Sequence, residues 1–217
     1  VDRRAATPQQ DSYGTWSVCT PETMSSFSAI GYFFARDIMQ ELDVPVGLIG
    51  SYWGGSSVEV WMEKELIEAS EELKKAAATL AEPGCCPQKD VGEVYNAMIA
   101  PITFFPIAGA LWYQGESNRQ NPFSYYITFP LMIDAWRKAW GDDFPFYYAQ
   151  IAPYRYGRDD DVAAAVVRDA QLSTMLNMPN TGMVVTNDIG NLEDIHPRNK
   201  QEVGRRFAYG PWQKRME

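Results

Sequence analysis

Apolar residues recur at helical spacing from Ser28 to Leu42, where Ile30, Phe33, Phe34, Ile38 and Leu42 share one side; Asp43 and Pro45 then stop the pattern. The next run, Val46-Gly47-Leu48-Ile49, is short and apolar and predicts a buried strand. Glu63 to Leu80 reads as a charged, Ala-rich helix ending in the Pro- and Gly-containing loop Glu82 to Pro87. Beyond it, strands are expected over 107–113, 146–151 and 183–186. Helices are expected over 125–140, 162–176 and 197–209, the last with Pro197 in its first turn.

Four strands separated by helices imply an α/β fold: an open, doubly wound, mainly parallel sheet flanked by helices. In that architecture functional groups collect outside the carboxyl ends of the strands. Ser51 to Ser57, Gln114 to Asn118 and Asp188 to His196 all fall there. No repeat or linker divides the chain, so a single domain over residues 1–217 is expected.

Composition narrows the function classes. With 217 residues, 46% of them hydrophobic, the chain can bury one good-sized core. A formal charge of −9 offers no basic footprint for nucleic acid or an anionic membrane surface, and no apolar run approaches a membrane span. The opening Val1-Asp2-Arg3-Arg4 lacks both an apolar run and an initiating Met, so it reads as a trimmed or truncated start rather than a signal peptide. Three cysteines, Cys19 and the adjacent Cys85 and Cys86, make no disulfide framework, and one histidine is too few partners for a zinc site. No cofactor or metal is expected.

His196, the single histidine, lies in Glu193-Asp194-Ile195-His196-Pro197 and is the natural general base near neutral pH. Its orienting acid is Asp194, two residues back, or Glu193, three back. Trp112-Tyr113-Gln114-Gly115-Glu116-Ser117-Asn118 carries a side-chain amide suited to a developing oxyanion and a glycine that lets backbone approach a ligand. Ser51-Tyr52-Trp53-Gly54-Gly55-Ser56-Ser57 offers backbone N–H groups for a carbonyl oxygen or another anion; it lacks the Gly-Lys-Ser/Thr ending of a phosphate loop.

These strings resemble the sialate O-acetylesterases, a branch of the SGNH hydrolases. The resemblance runs from about Phe27 to Phe207, through Val44 to Ile49, Trp53-Gly54-Gly55, Trp61-Met62, Tyr95-Asn96-Ala97-Met98-Ile99-Ala100-Pro101, Trp112 to Asn118, Arg168-Asp169-Ala170-Gln171 and Asp194 to Lys200. It implies a carbohydrate O-acetyl ester hydrolase working through an acyl-serine, with no metal, located in the periplasm or outside the cell. Acetylated sialic acid, acetylated xylan or another plant polysaccharide would be the substrate.

Carried over, His196 becomes the base, Asp194 its acid, Gly54 or Gly55 a backbone oxyanion donor, and Gln114 the side-chain donor, with Glu116 supporting that loop. The wider superfamily spacing D-x-x-H falls on Glu193. The family's Gly-x-Ser-Asn-Met nucleophile block has no counterpart; the only Gly-x-Ser-Asn is Gly115 to Asn118, inside the oxyanion block. The chain is therefore expected to start downstream of the nucleophile and to lack the usual first strand, leaving an edge that favours self-association.

Ser51, after a strand and before a glycine pair, is the alternative nucleophile, ahead of Ser117. Tyr52, Trp53, Trp61, Trp112, Tyr113, Tyr154 and Tyr156 surround these loops as sugar platforms or as core, with Trp53 the best substrate wall. Arg155 and Arg158 are candidates for a sugar carboxylate. A binding module or inactive relative without the serine is the alternative to an esterase.

Overall fold

The computed structural model describes residues 4–12, 14–80, 90–157 and 161–209. Cys85, Cys86 and Arg158 lie outside the described residues. A three-stranded parallel sheet, β1 (Ala110–Trp112), β2 (Phe146–Ala149) and β3 (Thr181–Val184), is ordered β1-β2-β3. Seven α-helices stand in the described chain: α1 (Pro21–Met24), α2 (Ala29–Leu42), α3 (Lys64–Glu68), α4 (Glu71–Ala78), α5 (Tyr125–Trp140), α6 (Asp161–Asn177) and α7 (Lys200–Tyr209).

The central strand shows why the fold is layered. Side chains alternate across a strand, so Phe146 and Tyr148 enter one apolar cluster and Tyr147 and Ala149 another. The first cluster takes Phe129, Met132, Ile133 and Trp136 from α5 and Val167 and Ala170 from α6. The second takes Phe34 from α2 and Val203 and Phe207 from α7. Helices thus cover both faces, as the alternating pattern predicts for a doubly wound sheet. Helices α2 and α7 meet at Gly204, where an added Cβ would lie 2.7 Å from Phe33 Cβ and 2.8 Å from the Ile30 carbonyl oxygen.

Local chemistry sets the helix ends. Ser28 Oγ accepts the Gly31 N–H to start α2, and Asp43 closes it in the left-handed conformation, φ 53°. The expected helix over 63–80 is two helices, because Ser70 caps a new one through the Leu73 N–H. Helix α7 begins at Lys200, so Pro197 precedes it; Asn199 Oδ1 accepts the Glu202 N–H there instead.

The predicted strand Val46 to Ile49 does not form. Among the described residues no neighbour supplies a ladder for it, and β1 pairs on one side only, with β2. The segment is held by side chains: Leu48 joins the cluster beneath α2 and α7, and the Trp16 ring lies against Gly47. Ile49 and Val44 stay exposed, which a buried strand would not allow. A short apolar run becomes a strand only when another backbone pairs with it.

Candidate active site

The segments leaving the carboxyl ends of β1, β2 and β3 are laced together. Gln171 of α6 is fully buried and bridges two of them: its Oε1 accepts the Ile151 N–H (3.0 Å) and its Nε2 donates to the Gln114 carbonyl (3.2 Å). Thr186 Oγ1 donates to the Gln150 carbonyl (2.9 Å), and Gln150 Nε2 to the Arg168 carbonyl (3.1 Å). Arg168 in turn reaches Gln150 Oε1 and Asn187 Oδ1. The Arg-Asp-Ala-Gln string therefore supplies the struts of this end of the sheet.

Gly115 follows β1 with φ 150°, and a Cβ there would sit 2.6 Å from Ile151 Cγ2. Only glycine satisfies both the angle and the close approach. The chain then makes a short 3₁₀ helix, Glu116–Gln120, that carries Asn118 into the interior.

Asn118 is the hub joining two blocks some sixty residues apart. Its Oδ1 accepts from the Val58 N–H (3.0 Å) and from Gln114 Nε2 (2.7 Å), while its Nδ2 donates to both oxygens of buried Glu59 (3.1 and 2.9 Å). Burial pushes the Glu59 carboxyl above its ordinary range, and the Asn118 bonds oppose that shift. Gln114 Nε2 also donates to the Ser56 carbonyl (3.0 Å), and its Oε1 accepts from Tyr125 (3.1 Å). Ser117 Oγ donates to the Gly55 carbonyl (2.8 Å). The Trp-Gly-Gly block and the Gln-Gly-Glu-Ser-Asn block are thereby clamped edge to edge.

This arrangement changes what several residues do. Both hydrogens of the Gln114 amide are given to protein acceptors, so here Gln114 is a clamp; donation to an oxyanion would require one of those bonds to exchange. Gly54 and Gly55 lie in an exposed turn, fastened by Ser56 Oγ to the Trp53 carbonyl (2.7 Å). Trp53 is half-buried beside them. Trp61 and Trp112 belong to the core instead, their rings 5.7 Å apart and edge to face.

His196 lies in the exposed loop between β3 and α7. Asp194 Oδ1 accepts the His196 backbone N–H (2.9 Å), which turns that carboxylate onto the main chain. Glu193 pairs with Arg155 (2.7 Å), whose backbone N–H also donates to the Leu192 carbonyl. That places Arg155 between two loops as a brace. The start of α7 returns to the end of β1: Lys200 Nζ stands 5.4 Å from the centroid of the Tyr113 ring.

Glu116 faces this junction. Burial raises its carboxyl above the usual range, against the opposing charges of His196, Lys200 and Arg119. Burial also lowers Lys200, while Glu116 and Asp194 oppose it. Arg119 stacks over the Tyr156 ring, 3.3 Å to the centroid, and Tyr156, pushed up to about 12 by burial and then by Glu116, stands edge to face with Tyr154. The sequence offered no signal for Arg119; the acid inside Val58-Glu59-Val60-Trp61, flanked by apolar residues, was the visible hint of a buried partner for Asn118.

Neither serine proposed from the sequence meets the imidazole. Ser51 Oγ donates to the Met98 carbonyl (3.3 Å), and Ser117 to Gly55. No side-chain hydrogen bond to His196 is made among the described residues. Nor, among those residues, do histidine, cysteine and carboxylate side chains gather as a metal site would need, and no helix is long and apolar enough to cross a membrane.

Residues 23–212 match the family described as carbohydrate esterase, sialic acid-specific acetylesterase. The sialate O-acetylesterases of Homo sapiens and Pongo abelii are each 31% identical over 218 residues, covering 90% of this chain and 41% of theirs. The crystal structure of a carbohydrate acetylesterase from Xanthomonas citri superposes with a TM-score of 0.80 at 37% identity, covering 94% of this chain and 45% of that one. The chain thus spans less than half the length of these relatives. With its motifs clamped at one end of a parallel sheet and nearly its whole length matched, the chain belongs to the sialic acid-specific acetylesterase family of carbohydrate esterases.

Proposed function

We propose that this chain forms the base- and oxyanion-bearing part of a carbohydrate O-acetyl ester hydrolase. The observation that carries this reading is the mutual clamping of the 53–59 and 112–118 blocks beside the loop that presents His196. Acyl transfer needs fixed donors on one side of the carbonyl and a base on the other. The Trp53 to Gly55 turn supplies the first, with an N–H of Gly54 or Gly55 toward the acetyl oxygen. His196 supplies the second, taking a proton from a serine and returning it to the departing sugar hydroxyl. Gln114 fixes the first group in place. Trp53 and the Tyr154–Tyr156 pair give faces on which a sugar ring stacks. An acetylated sugar is the substrate, sialic acid or a plant polysaccharide such as xylan, met in the periplasm or outside the cell.

Hydrolysis of 4-nitrophenyl acetate by the chain in its native full-length context tests this. His196→Ala should abolish nearly all turnover. Gln114→Ala should lower kcat on the order of 10²–10³ if a displaced amide bond reaches the oxyanion. Wild-type rates in the histidine variant would overturn the mechanism.

A second reading, a non-catalytic sugar-binding relative, is favoured by one observation: the Ser51 and Ser117 hydroxyls are both given to backbone carbonyls rather than to His196. Fluorophosphonate labelling with peptide mapping separates the two. Label on a serine dependent on His196 supports the esterase, and an unlabelled full-length protein supports the binding module.

A further inference from the structure

The segment that follows the 112–118 block forms a pocket against helix α4. Glu72, Lys75 and Thr79 line one side of this cavity of about 320 Å³, and Asn121 and Phe123 line the other. That volume is at the low end for a small-molecule site, room for one ring rather than for a long ligand. The polar floor is fixed: Asn121 Nδ2 donates to the Ala76 carbonyl (3.3 Å) and to Thr79 Oγ1 (3.2 Å), and Ser124 Oγ donates to the Asn121 carbonyl (2.9 Å). Both amide hydrogens are thus given to α4, and among the described residues Asn121 Oδ1 accepts nothing. Phe123 is 70% exposed and makes no ring contact among those residues, yet it stands in the short 3₁₀ turn Pro122–Ser124. The proline holds the backbone of that turn, so the ring is presented to solvent with little freedom left to lose on binding.

We propose that this pocket is a second sugar subsite, which holds one neutral pyranose ring from an unacetylated unit of the same glycan. A pyranose has an apolar C–H face and a rim of hydroxyls. The Phe123 ring takes the face, Asn121 Oδ1 and the Glu72 carboxylate accept from the rim, and the Lys75 ammonium donates to it. Glu72 and Lys75 share one face of α4, and neither makes an ion pair or hydrogen bond among the described residues, whereas the neighbouring Glu71 pairs with Lys74 (3.6 Å). Because the two charges in the pocket oppose each other, an anion or a cation gains little net attraction there, and a neutral polyol is the ligand that uses every group. The 3₁₀ helix Glu116–Gln120 rises about 2 Å per residue, so the pocket begins roughly 10 Å of chain beyond the end of β1. Linked sugar units span such a distance. The subsite rests on the esterase reading only for what the other end of the glycan meets, an acetyl group at the Gly54–Gly55 turn.

Calorimetric titration of the full-length protein with xylohexaose, which carries no acetyl group, tests this without turnover. Phe123→Ala should weaken binding about tenfold or more, and Phe123→Trp should restore it. Glu72→Gln and Lys75→Met should each weaken it about threefold, while His196→Ala leaves it unchanged. On acetylated xylan, Phe123→Ala should raise KM with kcat unaltered, and hydrolysis of 4-nitrophenyl acetate should stay at the wild-type rate. No binding of the hexasaccharide, or wild-type affinity in Phe123→Ala, overturns the subsite. Since Phe123 is exposed, its replacement leaves the core intact, and an unchanged melting curve confirms that lost affinity is local. A protein that hydrolyses no ester but binds xylohexaose through Phe123 removes the esterase reading and leaves the subsite standing. A working esterase whose glycan binding ignores Phe123 removes the subsite alone.

Discussion

The two halves of the site are built differently. The 53–59 and 112–118 blocks are interlocked by buried hydrogen bonds through Asn118, Glu59 and Gln114, whereas the loop carrying His196 is held by short turns, the Arg155–Glu193 pair and the Arg206–Asp188 pair near the surface. A buried polar network is costly to break, because each orphaned group pays its full desolvation. Exposed ion pairs are screened and individually weak. The interlocked pair of blocks is therefore the rigid part, and the histidine loop the more compliant one.

Asn118→Ala attacks the rigid half hardest. It orphans the Val58 N–H and one side of buried Glu59, and unfolding in urea should show a loss of roughly 3 kcal/mol. Adding Glu59→Gln should recover part of it, since the group left behind is then neutral. Gly115→Ala comes next: its positive φ and the 2.6 Å approach to Ile151 should cost about 1–3 kcal/mol, read in the same unfolding curves. Gly204→Ala should cost a similar amount by parting α2 from α7 while leaving the clamp intact, and thermal melts would separate it from the first two by an unchanged site.

The histidine loop yields the smallest effect, and it fades in acid. Arg205 and then Arg206 hold Glu202 at about 2, and Arg206 holds Asp188 at about 2. Both folded values lie below the unfolded ones, so the stabilisation is present above about pH 4 and is lost as pH falls toward 2. Arg206→Met should lower stability slightly above about pH 4 and not at all near pH 2, so the acid-side slope in melts between pH 5 and pH 2 becomes shallower, with the Glu202 share still held by Arg205; the loss is small because these groups are exposed. A large loss at pH 7 would mean that the loop is not the compliant half.

The long helices α2, α5 and α6 were legible because helix formation is local: the apolar stripe of α2 and its Ser28 and Asp43 ends are readable without a neighbour, whereas the break at Ser70 inside 63–80 was not read. The covering of both faces of the sheet was legible from strand–helix alternation, and the family from the Gln-Gly-Glu-Ser-Asn and His-Pro-Arg-Asn-Lys strings. Val46 to Ile49 misled because its apolar pattern says nothing about whether another backbone lies alongside.

By itself, then, the sequence determined the long helices α2, α5 and α6 and three strands, since propensity, period and capping are properties of nearby residues. The tertiary structure alone decided the partners: that Gln114 spends its amide on Ser56 and Asn118, that Asp194 turns to the main chain, and that Lys200 comes over the Tyr113 ring at the end of β1. Hydrogen bonds and charge pairs join groups far apart along the chain, and only folding sets those distances.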